Sequence, residues 1–316
     1  MRNGTKYFQQ ILCGLAGFCA ILAIAPSASA QDMQSGGLPA RTYIVTRSKA
    51  TPAPPLAADN VQVKENYKPA LVTALTPVLS SGQGIEMAFI LDDSLRGSVS
   101  LQLNDIRDFF KTLPPGVSVF VGYMQNGTVF PATKGFVMDS EVASKALRIT
   151  IGSPGGNASP YFCLSELVKN WPSNDRRKAR VVFMVTNGVD NYTGINPLDQ
   201  TSPYVDAAIH DAQRAGVLVY SLYYTDRGVG GRYASFSGQS YLQKVADETG
   251  GQSYFEGTGN PVSFAPFLKQ FNGDLARIYE LRFTASKAGL QPLKVTTDVK
   301  GIKLGAPDNV YVIQPE

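Results

Sequence analysis

The run Met87-Ala-Phe-Ile-Leu91 is apolar at every position and stops abruptly at Asp92-Asp-Ser-Leu-Arg-Gly97. A strand without a polar face has to be covered on both sides, which places it inside a sheet flanked by helices. Val117–Tyr123, Val181–Val185 and Val217–Tyr223 read the same way. Helical periodicity fills the gaps, through Leu101–Leu113, Asp139–Ile149, Tyr161–Trp171 and from Ser202-Pro203 to Gly216. The pattern predicts an α/β fold with a Rossmann-like doubly wound, mostly parallel sheet. Such sheets take their ligands beyond the carboxyl ends of the strands, so the candidate functional face begins at Asp92.

The two ends obey a different grammar. Residues 1–30 place Arg2 and Lys6 before an apolar run from Ile11 to Ile24 and end in Ser-Ala-Ser-Ala, which reads as a signal peptide. Residues 31–58 are rich in Gly, Ser, Ala and Pro, with one β-like island at Thr42–Thr46, and predict a flexible lead-in. Residues 59–84 suggest a β-hairpin extension, 85–277 the α/β domain, and 278–316 a closing antiparallel β-segment in which apolar and polar residues alternate. A secreted or periplasmic location follows from the signal, with no transmembrane span once it is cleaved; retention of the segment as an anchor stays open. Cleavage removes two of 29 basic residues and no acidic one, leaving 27 against 25 acidic, so nothing favours a nucleic-acid partner.

Catalytic signatures are scarce. His210 is the single histidine and belongs to a helical stretch, where a packing or surface role is expected. Cys163 is the only cysteine after residue 30; it cannot form an intrachain disulfide in the mature chain and reads as a buried thiol. Gly228-Val-Gly-Gly231 lacks the strand-to-helix setting of a dinucleotide site. Arg176-Arg-Lys-Ala-Arg180 reads as a solvated entry to the strand at Val181.

Three loops then remain at strand ends: Asp92–Arg96, Gly155–Ser159 and Thr186–Gly188. With these loops, the order of elements and the late segment Leu242-Gln-Lys-Val-Ala-Asp-Glu-Thr-Gly-Gly251, the chain over roughly 60–300 resembles the von Willebrand factor type A (VWA) family, in particular its secreted bacterial branch. The resemblance implies a metal-ion-dependent adhesion site in which Asp-x-Ser-x-Ser, a Thr and a second Asp supply oxygen ligands. Asp92 and Ser94 match. Arg96, Asn157 and Asn187 stand where the family has Ser, Thr and Asp. A hard divalent ion wants oxygen ligands that include carboxylate, so the expected site is degenerate, without a tightly bound Mg²⁺, and with Arg96 as a counter-ion to Asp92. Asp93 or Asp190 are the residues that would restore a shell.

The reading predicts a non-enzymatic module that binds another protein through a rim made of 92–97, 152–160, 187–200 and 225–239. Asp92, Ser94, Arg96, Asn157, Ser159 and Asn187 form its centre, and Tyr192, Arg227, Arg232, Tyr233 and Phe236 serve as loop anchors. Asp92 and Asn187 also suit plain loop capping. Two further classes stay open: an envelope component assembling through its β extensions, and a hydrolase built on Asp92 with Asp93 or Asp190.

Overall fold

The computed structural model describes residues 37–50, 54–152, 159–190, 192, 202–224, 231–257 and 259–314, with the backbone alone for 231–235. Residues 1–30, expected to be a signal peptide, lie outside them. In chain order the strands and helices are β1 (Leu38–Ser48), β2 (Val61–Glu65), β3 (Lys68–Ala70), β4 (Val72–Pro77), β5 (Ile85–Asp92), α1 (Leu103–Lys111), β6 (Val117–Gln125) and β7 (Thr128–Pro131). Next come α2 (Ser140–Lys145), α3 (Pro160–Lys169), β8 (Ala179–Thr186), α4 (Pro203–Ala215), β9 (Val217–Tyr223), α5 (Gly231–Thr249), β10 (Ser253–Tyr254) and α6 (Ala265–Leu275). Four strands close the described chain: β11 (Ile278–Ala285), β12 (Gly289–Thr297), β13 (Ile302–Gly305) and β14 (Asn309–Val312).

The central sheet has the order β10-β9-β8-β5-β6-β7. All its pairings are parallel except β6 with β7. Renumbered within the sheet, that is 6-5-4-1-2-3, the order of the doubly wound fold, and its direction reverses between β5 and β8. Every residue of β5 is buried, as its composition demands. Phe89 and Phe183 stack at 5.1 Å on one face and meet Phe110 of α1 and Phe271 of α6. Ala88, Ile90, Val182 and Met184 point the other way, into a core completed by α3, α4 and α5.

The β extensions are more ordered than the composition of residues 31–58 predicts. Leu38–Ser48 is an 11-residue strand inside the sheet β13-β1-β11-β4. Both of its faces are covered: Tyr43 and Val45 join the core of the α/β domain, while Ala40 and Ile44 face a second core with Val63, Leu281, Phe283 and Val310. Arg47 pins it further, donating to Asp274 at 2.8 Å and to the Gly251 carbonyl at 3.1 Å. The hairpin of 59–84 also divides. β2 turns into β3 and joins the sheet β14-β12-β2-β3, whereas β4 pairs with β11. The N- and C-terminal β segments therefore build one sandwich together, resting on the α/β domain. Among the described residues no helix is long and apolar enough to cross a membrane.

Candidate functional site

Asp92 ends β5 and Thr186 ends β8, so the two strands that flank the reversal deliver one carboxylate and one hydroxyl to the same point. The Thr186 hydroxyl donates to Asp92 Oδ2 at 2.6 Å. Asp92 Oδ1 accepts from the Ser94 amide at 3.0 Å and the Ser94 hydroxyl at 2.6 Å. Burial drives the Asp92 pKa above its ordinary 3.8, against the downward pull of the Ser94 and Thr186 bonds, and the neighbouring Asp93 adds to the rise. The buried carboxylate is answered by neutral donors. Arg96, expected as a counter-ion to Asp92, is exposed just ahead of the 3-10 turn Gly97–Gln102.

Asp93 faces the other way, as successive strand residues must. Arg148 clasps it with two guanidinium bonds of 2.8 and 2.7 Å, the Ile151 amide donates at 2.9 Å, and the Gln125 amide donates to Oδ2. Burial works upward on this carboxyl, yet Arg148, Ile151 and Gln125 together hold it below 3.8. Arg148 lies 3.9 Å over the Tyr123 ring, and its amide donates to the Tyr123 hydroxyl at 2.6 Å. The Gly152 amide reaches the Asp93 carbonyl at 2.9 Å and the Thr150 hydroxyl the Leu95 carbonyl at 2.7 Å, so residues 148–152 are strapped to the Asp92 turn.

On the β8 side, Asn187 Oδ1 accepts from the Val189 amide at 2.9 Å, the loop-capping role open to it from sequence. Asp190 accepts from the Tyr192 amide at 3.2 Å and the Ser202 hydroxyl at 2.6 Å. Gly188 has φ +66°, and the Tyr161 hydroxyl donates to its carbonyl at 2.7 Å. α5 closes against this turn so tightly that a Cβ on Gly238 would stand 2.1 Å from the Asn187 carbonyl oxygen.

Several predicted rim residues land elsewhere. Asn157 and Arg227 lie outside the described residues, as do 193–200 of the loop after β8. Ser159 is buried before α3, and its hydroxyl has no partner among the described residues. Arg232, Tyr233 and Phe236 belong to the first turns of α5, which begins at Gly231, and not to a loop. Phe236 is exposed there. Tyr192 packs edge-on against Phe162 and Tyr204, both at 5.1 Å, while still half exposed. Thr186 is the residue sequence reasoning passed over. Its position as the last residue of a continuous apolar strand, level with Asp92 on the adjacent strand, is the signal that finds it.

Asp92 brings one carboxylate, Asp93 and Asp190 are engaged elsewhere, and no group of three or more His, Cys, Asp or Glu able to hold a metal occurs among the described residues. The other chemistry-bearing groups stand apart. His210 is exposed on α4, and Cys163 is buried, with burial raising its thiol to about 12.

A doubly wound, mostly parallel sheet with Asp92 and Ser94 in a turn at its reversal is what the resemblance implied. The domain is VWA-like in fold. No family model and no curated protein matches the sequence. Among solved structures the chain is similar to BatB from Bacteroides thetaiotaomicron, at 16% identity, 61% of this chain, 98% of that one and a TM-score of 0.44. It is also similar to an aerotolerance-related membrane protein from Bacteroides fragilis, at 13%, 61%, 98% and 0.43. A von Willebrand factor type A protein from Catenulispora acidiphila follows at 10%, 88%, 75% and 0.42.

Proposed function

We propose that this VWA-like chain is a secreted or periplasmic, non-enzymatic protein-binding module that meets its partner at the Asp92 end of the sheet without a tightly bound metal. One observation carries the reading: the Asp92 carboxylate is already satisfied by Ser94 and Thr186, inside a rim that exposes large apolar side chains. Ile149 and Ile151 stand on the strapped segment, Leu101 in the turn leading into α1, Val262 ahead of α6, and Phe236 on α5. The Gln102 side chain ties two of these together by donating to the Val262 carbonyl at 3.1 Å. Exposed apolar residues around a polar centre are the composition of a protein interface.

The geometry also disfavours a paired-acid hydrolase. Asp92 and Asp93 turn to opposite sides of the strand and have separate donors, so they cannot share a proton between an acid and a base. Assembly through the β extensions is disfavoured by their pairing with one another inside the chain.

The test is a comparative capture from a cell-envelope extract, in parallel with and without EDTA. Wild-type protein should retain the same partner in both arms, and an Ile151→Asp/Phe236→Glu variant should lose it. Partner loss on EDTA, reversed by Mg²⁺ in wild type but not in Asp92→Ala, would overturn the metal-free reading. Capture unchanged in the double variant would overturn the rim.

A further inference from the structure

At the opposite end of the sheet a cavity of about 380 Å³ opens between the α/β domain and the sandwich. β1 supplies one wall, the amino ends of β8 and β9 the floor, and β14 the far lip. Five cationic side chains line it, Arg41, Arg176, Lys178, Arg180 and Arg214, and no carboxylate does. Three of these cations have partners set behind the lining, all at long range: Arg41 with Glu280 at 3.6 Å, Lys178 with Glu86 at 3.7 Å, and Arg214 with Asp211 at 3.6 Å. Arg176 and Arg180 make no ion pair among the described residues.

Arg180 is the telling member. It is half-buried, lies 5.3 Å over the Trp171 ring, and donates to the Ser173 carbonyl at 3.2 Å. Burial holds its guanidinium below the ordinary value; Glu86 opposes this, and the like charges of Arg176 and Arg41 deepen it. The fold gathers the Arg176–Arg180 segment, one arginine of β1 and one of α4 around a partly open cavity whose remaining walls include Val217, Leu218, Val310 and Tyr311. A volume of this size with apolar walls and a few convergent polar groups suits a small molecule, and guanidinium pairs match the geometry of carboxylate and phosphate.

We propose that this cavity is a binding site for a small organic oxyanion, a carboxylate or phosphate monoester on an apolar body, with Arg176 and Arg180 clasping the anion. The floor and the Tyr311 lip receive the body. The site is separate from the Asp92 rim, and it stands or falls independently of the function proposed there.

Trp171 is the chain's single tryptophan, so its fluorescence reports directly on Arg180. The full chain is titrated with octanoate, octyl phosphate, octanol and inorganic phosphate, each repeated by calorimetry. At least one of the two amphiphilic anions should bind saturably, and which one binds more tightly names the headgroup. Octanol should not bind, inorganic phosphate should bind at least about tenfold more weakly, and Arg176→Ala should weaken the amphiphile by about tenfold. Arg176 is exposed, so Arg176→Glu should fold normally and abolish binding; Arg180→Gln should weaken it and change the Trp171 signal. Absence of saturable binding by both methods, equal binding of octanol, or an affinity unmoved in Arg176→Glu would each overturn the proposal.

Discussion

The Thr186 hydroxyl donates to Asp92 Oδ2 at 2.6 Å, joining the ends of two strands whose sequence positions lie far apart. Thr186→Val removes that donor while keeping the shape of the side chain, leaving a buried carboxylate one partner short. The expected loss is about 1–3 kcal/mol in urea unfolding, with Thr186→Ser recovering most of it.

Asp92 makes stability depend on pH with a definite sign. Its folded pKa lies above the unfolded 3.8, so the folded state holds the proton more tightly, and wild-type stability falls as pH rises from 3.8 through the folded value. Asp92→Asn cannot titrate. Its stability relative to wild type should therefore climb as pH rises from 3.8 through the folded value and then level off, as read from urea midpoints from about pH 4 upward. A flat difference would contradict the raised pKa.

Asp93 works in the opposite sense and in a separate window. Its folded pKa lies below 3.8, so it contributes stability that is present above 3.8 and lost as pH falls through the folded value. Arg148→Met should erase part of this acid-limb dependence. Because Arg148 is itself half exposed, the cost at neutral pH should be only about 1–2 kcal/mol. Hydrogen exchange should show the Ile151 and Gly152 amides, which bond to Asp93, opening faster than in wild type.

Gly238→Ala would drive a methyl group onto the Asn187 carbonyl oxygen. Either α5 or the 187–188 turn has to retreat, at an expected cost of about 1–3 kcal/mol. If rim binding depends on the seating of α5, this variant should lose partner affinity at temperatures where it remains folded.

Much of this architecture is written locally. The four apolar runs at 87–91, 117–123, 181–185 and 217–223 admit no setting other than buried strands, and each is one. Asp92 and Ser94 likewise announce their turn. The elements that escaped are those whose stabilising partners are distant. Leu38–Ser48 shows locally only the β-like island Thr42–Thr46, because the residues that cover its two faces come from β2, β14 and α6. The early turns of α5 contain glycine and serine, which suggest a loop; Gly238 is there for its close approach to Asn187, a constraint no local pattern displays. The basic run Arg176–Arg180 reads as a solvated strand entry, and Arg176 and Arg177 are exposed; what it does not display is that Arg41 and Arg214 line the same cavity.

The placement of β1 also governs the order in which the molecule can assemble. Tyr43 pairs with Glu280 and Arg47 with Lys303, closing loops of roughly 240 to 260 residues, whereas β5 and β6 meet across a connection many times shorter. The α/β sheet can therefore form from neighbouring segments while the sandwich waits for the last strands to arrive. Refolding should show a late phase in which β1 amides gain protection after those of β5 and β8. The same strand should be the first to let go when the native protein unfolds.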